Sequence, residues 1–476
     1  MKTRYLSWLI LPLLFLHVGC NDNGGVVTVG TESSSGTVVY LADQDIDQVF
    51  ELYLAGSGTK LNPPLSSGQS VISFALTPDK TAVVYIADQT TNDVFELYRV
   101  NISTPGVSVK LNGTLVANGD VTNFETMPDG TSVVYLADQK IDQVFEVFQV
   151  LFSNPQASVL LNPALPSGRT VTQFAVTPDS SRVVYIADQD TVNVNELYEV
   201  AFSNPLTSQK LNSSLVTGGN VVDFSISLNS ASVVYLADQT IDQVFEIYRA
   251  LVAAPGTGTK LNPPLVAGRN VTRFAITPDS TAVIYRADQD TAGKFELYRV
   301  LFLSPLTSVK LNGVLTAGGN VSSFTIATNG SAVAYSADQD TLGVLELYRV
   351  PLTPVAAAQK INPNYVAGQN VSNFGISPDS SAAIYMANQT NSAIQLYRVP
   401  FSTLQQSNPP LNGSLVVGGN VTSFSITPNS ASVLYLANES TFSAQELYAV
   451  NVGTPGASSK LNSLLVPNGN VTAFTF

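Results

Sequence analysis

Residues 71–100 read VISFALTPDKTAVVYIADQTTNDVFELYRV, and close copies of this stretch return every fifty residues to the end of the chain. Tyr85, Tyr135, Tyr185, Tyr235, Tyr285, Tyr335, Tyr385 and Tyr435 are one residue of one unit. Tyr40 is a ninth copy, forty-five residues before Tyr85. Self-similarity at this period marks solenoids and propellers, because one such unit cannot bury its own apolar faces. A residue present in every copy therefore serves the architecture first. Function is to be sought on faces of the array and in copies that depart from the pattern.

Within one copy the pattern predicts four short strands. Val71 to Thr77 is the first, and Thr77-Pro78-Asp79-Lys80 turns the chain with Pro and Asp chemistry. Ala82 to Ala87, rich in β-branched and aromatic residues, is the second. Asp88 to Asp93 is a polar connection, Val94 to Val100 the third strand, and Val107 to Asn112 a short fourth. Four antiparallel strands per fifty residues make a propeller blade. The second strand is apolar on both sides, with Val83 and Tyr85 on one and Val84 and Ile86 on the other. It must be buried on both, which blades packed around an axis provide. Seventeen of the nineteen tyrosines sit at two repeat positions, which predicts packing between blades rather than a ligand platform.

The first strand carries Phe at 74, 124, 174, 224, 274, 324, 374, 424 and 474, and the chain ends just after this ninth copy. At the other end, Val26 to Thr31 aligns with the first strand, but Val29 replaces Phe and no Pro-Asp turn follows. The expectation is an all-β protein: a β-propeller of about nine four-stranded blades, closed by the C-terminal strand. Length alone allows three domains, but an unbroken repeat argues for one array.

The first twenty residues differ. Lys2 and Arg4 precede an apolar run from Leu6 to Leu16, and Val18-Gly19-Cys20 follows. This is a secretory signal, too short to span a membrane. It resembles a bacterial lipoprotein signal at Val18, Gly19 and Cys20, and departs from that motif at His17. The resemblance implies cleavage before Cys20, the only cysteine, and its lipidation. The expected organisation is a signal peptide over 1–19, a tether and degenerate first strand over 20–36, and one propeller over 37–476. Asn21, rather than Asp, leans towards the outer membrane. The Gly- and Ser-rich stretch after Cys20 reads as a flexible tether.

The formal net charge is −13, two units more negative without Lys2 and Arg4. A body this acidic does not bind nucleic acid through its phosphates. N-x-[ST] triplets such as Asn112-Gly113-Thr114 read as turn residues rather than glycan acceptors.

The units Thr77-Pro78-Asp79…Tyr85, Thr177-Pro178-Asp179…Tyr185, Thr277-Pro278-Asp279…Tyr285 and Ser377-Pro378-Asp379…Tyr385 resemble the TolB-type, WD-like propeller repeat. Asn replaces the Asp at 229, 329 and 429. The resemblance covers about residues 26 to 476 and implies a fold, not an activity. Proteins with such repeats include periplasmic scaffolds that bind other proteins. They also include propellers of prolyl-oligopeptidase-like peptidases, which carry a separate hydrolase domain; the expectation is that residues 26 to 476, taken up by the repeat, hold no such domain.

Past the signal there is no His, Trp or further Cys. That removes Ser-His-Asp and Cys-His catalysis and histidine metal sites. Carboxylate-pair hydrolysis is the remaining enzymatic alternative, but the acids recur in register, unlike a single active site. The expectation is that the chain is not an enzyme. Its strongest chemical feature is the connection after the second strand, Asp43-x-Asp45-x-Asp47 with Glu51 beyond. Alternating carboxylates can converge on calcium. The competing reading is that the first Asp caps its own turn. Later copies weaken the set: Lys140 and Val192 interrupt it, and Asn388 and Asn438 replace its first member.

In a four-stranded blade the connections after strands two and four open on the same face. Asp88, Asp138, Asp188, Asp238, Asp288 and Asp338 thus share a candidate binding face with Gly218-Gly219-Asn220, Gly318-Gly319-Asn320 and Gly418-Gly419-Asn420. Lys60, Lys110, Lys210, Lys260, Lys310, Lys360 and Lys460 recur on the fourth strand, where lysine blocks edge-to-edge aggregation. The functional expectation is a lipid-anchored envelope scaffold. It would bind a protein or envelope partner and touch the membrane through Cys20. The alternative is a calcium-dependent adhesin or matrix component.

Overall fold

The computed structural model describes residues 36–389 and 392–476. Among them there is no helix: the chain forms nine antiparallel sheets in sequence order, arranged as a propeller. Blade two shows the plan, with Val71–Leu76, Ala82–Ala87, Glu96–Asn101 and Ser108–Lys110 running from the axis outwards. Blade one is composite. Val39–Ala42, Glu51–Leu54 and Thr59–Lys60 are joined on the inside by Val471–Thr475, with Tyr40 opposite Phe474. The C-terminal strand therefore closes the ring, as the two chain ends predict. The signal, Cys20, the tether and Val26 to Thr31 lie outside the described residues.

Blade eight has three strands, Val371–Ile376, Ala382–Ala387 and Gln395–Pro400. Pro409-Pro410 stands where the other blades place the fourth strand, and proline has no amide to give a ladder.

The turn between strands one and two is held by its own side chains. Thr77 Oγ1 donates to Asp79 Oδ1 at 2.6 Å, and the Thr81 amide donates to the same oxygen at 3.1 Å. These bonds hold the Asp79 carboxyl below the usual range. Strand one of blade two carries a bulge: Val71 pairs with Ala87 and Ser73 with Ile86, leaving Ile72 as the extra residue. The same shift recurs in the next blades.

The core lies between blades. Strand two is buried on both sides, as its two apolar faces require. The two tyrosine positions pair across strands two and three, and the rings stack at 5.2–5.7 Å. Each stack meets the apolar face of the preceding blade. Val184, Ile186 and Leu197 of blade four thus pack on Phe224, Val233, Tyr235 and Tyr248 of blade five. The seam is the same interface: Leu434, Leu436 and Leu447 pack on Tyr40, Tyr53 and Phe474.

Candidate functional site

Each blade has two ends. The turn face carries the connection from strand two to three and the passage to the next blade. The hairpin face carries the one-to-two turn and the three-to-four hairpin. On the turn face the blades are sewn together. Val121 N donates to Phe95 O at 2.8 Å, and Phe95 N donates to Asp120 Oδ1 at 2.8 Å. At the seam Val471 N bonds Gln445 O at 2.9 Å, and Gln445 N bonds Asn470 Oδ1 at 2.8 Å. The Asn ending each Gly-Gly-Asn segment is thus part of the framework.

The recurring aspartates belong to the same stitching. Asp88 accepts from Ser70 N at 2.6 Å and Asp93 N at 3.1 Å, one amide per oxygen. Asp138, Asp188, Asp238 and Asp288 repeat this on their own strand-one and turn amides. Asp338 accepts from Asn320 N and Gly343 N. The first five are buried and Asp338 half-buried. These carboxylates are placed on the predicted face but turned inwards, because the turn needs both oxygens.

The proposed calcium set is divided the same way. Asp43 accepts from Asn470 N at 2.5 Å and Gln48 N at 3.0 Å. Glu51 accepts from Leu65 N at 2.9 Å and pairs with Lys60, which also meets Asp45 at 3.0 Å. Asp47 is exposed at the tip. The four do not converge on one point, and no other grouping of three such ligands occurs among the described residues.

The lysines are corrected from edge guards to ion-pair partners. Lys110 reaches the buried Glu96 at 2.8 Å, Lys310 reaches Glu296 at 2.7 Å and Lys360 reaches Glu346 at 2.9 Å. Several of these ammonium groups also lie over the stacked tyrosine, at 5.7–5.9 Å from its centre. Blade three departs: Leu160 stands at the lysine position and Phe148 at the tyrosine position. There burial, eased only in part by the Leu165 amide and by Lys140, pushes the Glu146 carboxyl up. In blade nine burial acts the same way on Glu446, but Lys460 and Tyr448 outweigh it and hold that carboxyl down.

Sequence reasoning missed an alternation between neighbouring blades. Gly119, Gly219 and Gly469 leave no room for a Cβ, which would meet the carbonyl of Asp138, Asp238 or Asp43 at 2.7–2.8 Å. In the blades between, Gln69 and Arg269 fill the position and donate to the Gln89 and Gln289 carbonyls at 3.2 and 2.8 Å. The fifty-residue period hid this hundred-residue one. Asn112, expected only as a turn residue, is buried, accepts from Leu97 N at 2.8 Å and is closed to modification in this state.

With the recurring first aspartates turned inwards, the turn face presents its tips. Ile46, Ile141 and Ile241 are 44%, 43% and 44% exposed in blades one, three and five, each followed by an exposed Asp-Gln pair. In the later blades Leu342, Val366, Val417 and Phe442 are exposed on this face, Phe442 lying against Gly418. The signal for these residues was their failure to match the architectural pattern.

No protein-family model matches this chain, and no curated protein matches it in sequence. Solved structures do share its fold. Dipeptidyl peptidase 4 of Porphyromonas gingivalis superposes with a TM-score of 0.58 at 12% identity, over 82% of this chain and 59% of that one. A eukaryotic initiation factor superposes with a TM-score of 0.55 at 12% identity, over 92% of this chain and 99% of that one. A TolB protein of Agrobacterium tumefaciens gives only 0.32 at 12% identity, over 50% of this chain and 79% of that one, too weak to argue from. This chain thus spans about three fifths of the peptidase. The expectation that the chain is not an enzyme is corrected by that likeness. An enzyme carries this fold over most of the chain's length, so the propeller by itself does not speak against catalysis. What the likeness establishes is a β-propeller.

Proposed function

We propose that the protein is a lipid-anchored envelope propeller that binds a protein partner on its turn face. The observation that carries this reading is the exposed apolar tip series, Ile46, Ile141, Ile241, Leu342 and Phe442, on one end of the ring. Exposed apolar side chains mark interaction surfaces; the hairpin face also exposes Val107, Leu206 and Leu303, and the placement of the chain's lead-in is what favours the turn face. They stand on a scaffold held rigid by inter-blade hydrogen bonds, so little ordering cost opposes binding. The placement of the chain supports the same orientation. Gly36 to Val38 lead into strand two of blade one at the hairpin face, where Ala55 N bonds Val38 O. A tether from Cys20 would then hold the hairpin face towards the membrane and leave the turn face free.

The test is co-purification from envelope extract with the full chain. Ile46→Ser, Ile141→Ser and Ile241→Ser together should abolish recovery of the partner. Leu151→Ser, Leu251→Ser and Leu301→Ser, exposed near the hairpin face, should not. Equal recovery with both triple variants would defeat the reading.

A further inference from the structure

Blade six departs from the repeat three times, always towards a cation and always at one interface. At the strand-two position that holds Leu41, Ile86, Leu136, Ile186, Leu236, Met386 and Leu436 in other blades, it has Arg286. At the strand-one position of Ser73, Ser323 and Ser423 it has Arg273. At the position of Val49, Val144, Val244 and Val344, each 1% exposed, it has Lys294. It is the one blade in which cations outnumber carboxylates, five to four over residues 271–320.

The register makes Arg273 and Arg286 direct cross-strand partners. Like charges placed directly opposite are destabilising. Burial, and then Arg273, hold Arg286 below the usual arginine range. Arg286 lies over Phe295 at 4.2 Å, donates from Nε to Val321 O of blade seven at 2.6 Å, and from Nη1 to Thr272 Oγ1 at 2.8 Å. Arg273 is exposed at the mouth of the axis and lies over Phe324 of blade seven at 5.4 Å. Arg286 is thus held by a ring, a backbone carbonyl and a hydroxyl, and Arg273 by a ring; no ion pair recorded among the described residues includes either.

The nearby carboxylates have other work. Asp288 accepts from Asn270 N and Gly293 N. Glu296 is paired with Lys310 and lies 4.0 Å from Lys294.

We infer that the mouth between blades six and seven is a binding site for a tetrahedral oxyanion, phosphate or sulfate, with Arg273 and Arg286 as its donors. Paired guanidinium groups match such an anion with several charge-assisted hydrogen bonds. A bound dianion also cancels the repulsion that the register imposes. The cost of the empty site is then a cost of function, as for other binding sites that depart from their fold's own pattern.

The test uses variants that restore the repeat's own residues, Arg273→Ser and Arg286→Leu, so misfolding is not at issue. Calorimetric titration with inorganic phosphate at constant ionic strength should show saturable binding to wild type. Its Tm should rise in phosphate relative to chloride. The double variant should bind at least about tenfold more weakly, the loss of one charge-assisted contact or more. In chloride it should melt no lower than wild type. Phenyl phosphate binding like inorganic phosphate would identify an ester end group, and phosphate alone binding would identify the free ion; either supports the site. No saturable binding, or an equal response of wild type and double variant, would overturn it.

Discussion

Leu160 is registered opposite Phe148, where seven other blades hold a lysine that reaches a buried glutamate. Glu146 therefore keeps its burial without that partner, while Glu446 keeps Lys460. The same residue, in the same strand, meets opposite electrostatics in two blades.

Opposite pH dependence follows. Glu146 is raised above its ordinary value of 4.5. Wild-type stability at this site is full below that value and is lost as pH rises through the raised one. Glu146→Gln should therefore stabilise the protein at neutral pH, by about 1 kcal/mol, with no gain below about pH 4. Chemical denaturation across pH 3–8 checks it; destabilisation at neutral pH would refute it.

Glu446 is held below 4.5, so its contribution is present above that value and lost as pH falls through the depressed one. Glu446→Gln should cost about 1–3 kcal/mol at neutral pH, leaving Lys460 without its buried partner. The gap to wild type should narrow in acid. A constant gap would mean that packing, not charge, sets the cost.

The ring closes through Tyr40 and Phe474. Phe474→Ala should cost about 3–5 kcal/mol and lower the Tm. Deleting residues 471–476 exposes the inner edge of Val39–Ala42 and should give concentration-dependent association, because an open strand edge is a template for pairing. Size-exclusion chromatography reads both. A monomeric deletion variant with an unchanged melt would contradict closure by this strand.

The aspartates serve turns, so their chemistry can be partly replaced. Asp238→Asn should be mild, since Asn388 holds the same strand-one amide at 2.6 Å. Asp238→Ala leaves two partly buried amides without acceptors and should cost about 1–2 kcal/mol. Calcium at millimolar concentration should leave the Tm unchanged. A rise of several degrees that Asp43→Asn removes would support the calcium reading instead.

Much of this fold was legible because repetition averages away local ambiguity. Nine tyrosines in register identified strand two, and Phe474 without a following turn identified the closing strand. The site was less legible for the same reason. A residue in every copy looks alike whether it binds a partner or ties a turn; only the amides of Ser70 and Asp93 on Asp88 separate the two. The lysines misled because their strand is an edge, while their long side chains fold back over tyrosine onto glutamate. Arg286 was hidden in an otherwise repeated strand, and its meaning depends on Arg273 standing opposite, which spacing alone does not show.

Docking of a partner on the turn face can be read by site-specific photo-crosslinking in intact cells, with the crosslinking residue placed singly at 46, 141, 241 and 442, and at 107, 206 and 303 near the hairpin face. One common crosslinked protein is expected from the first four positions and none from the last three. Crosslinks confined to 107, 206 or 303 would contradict it.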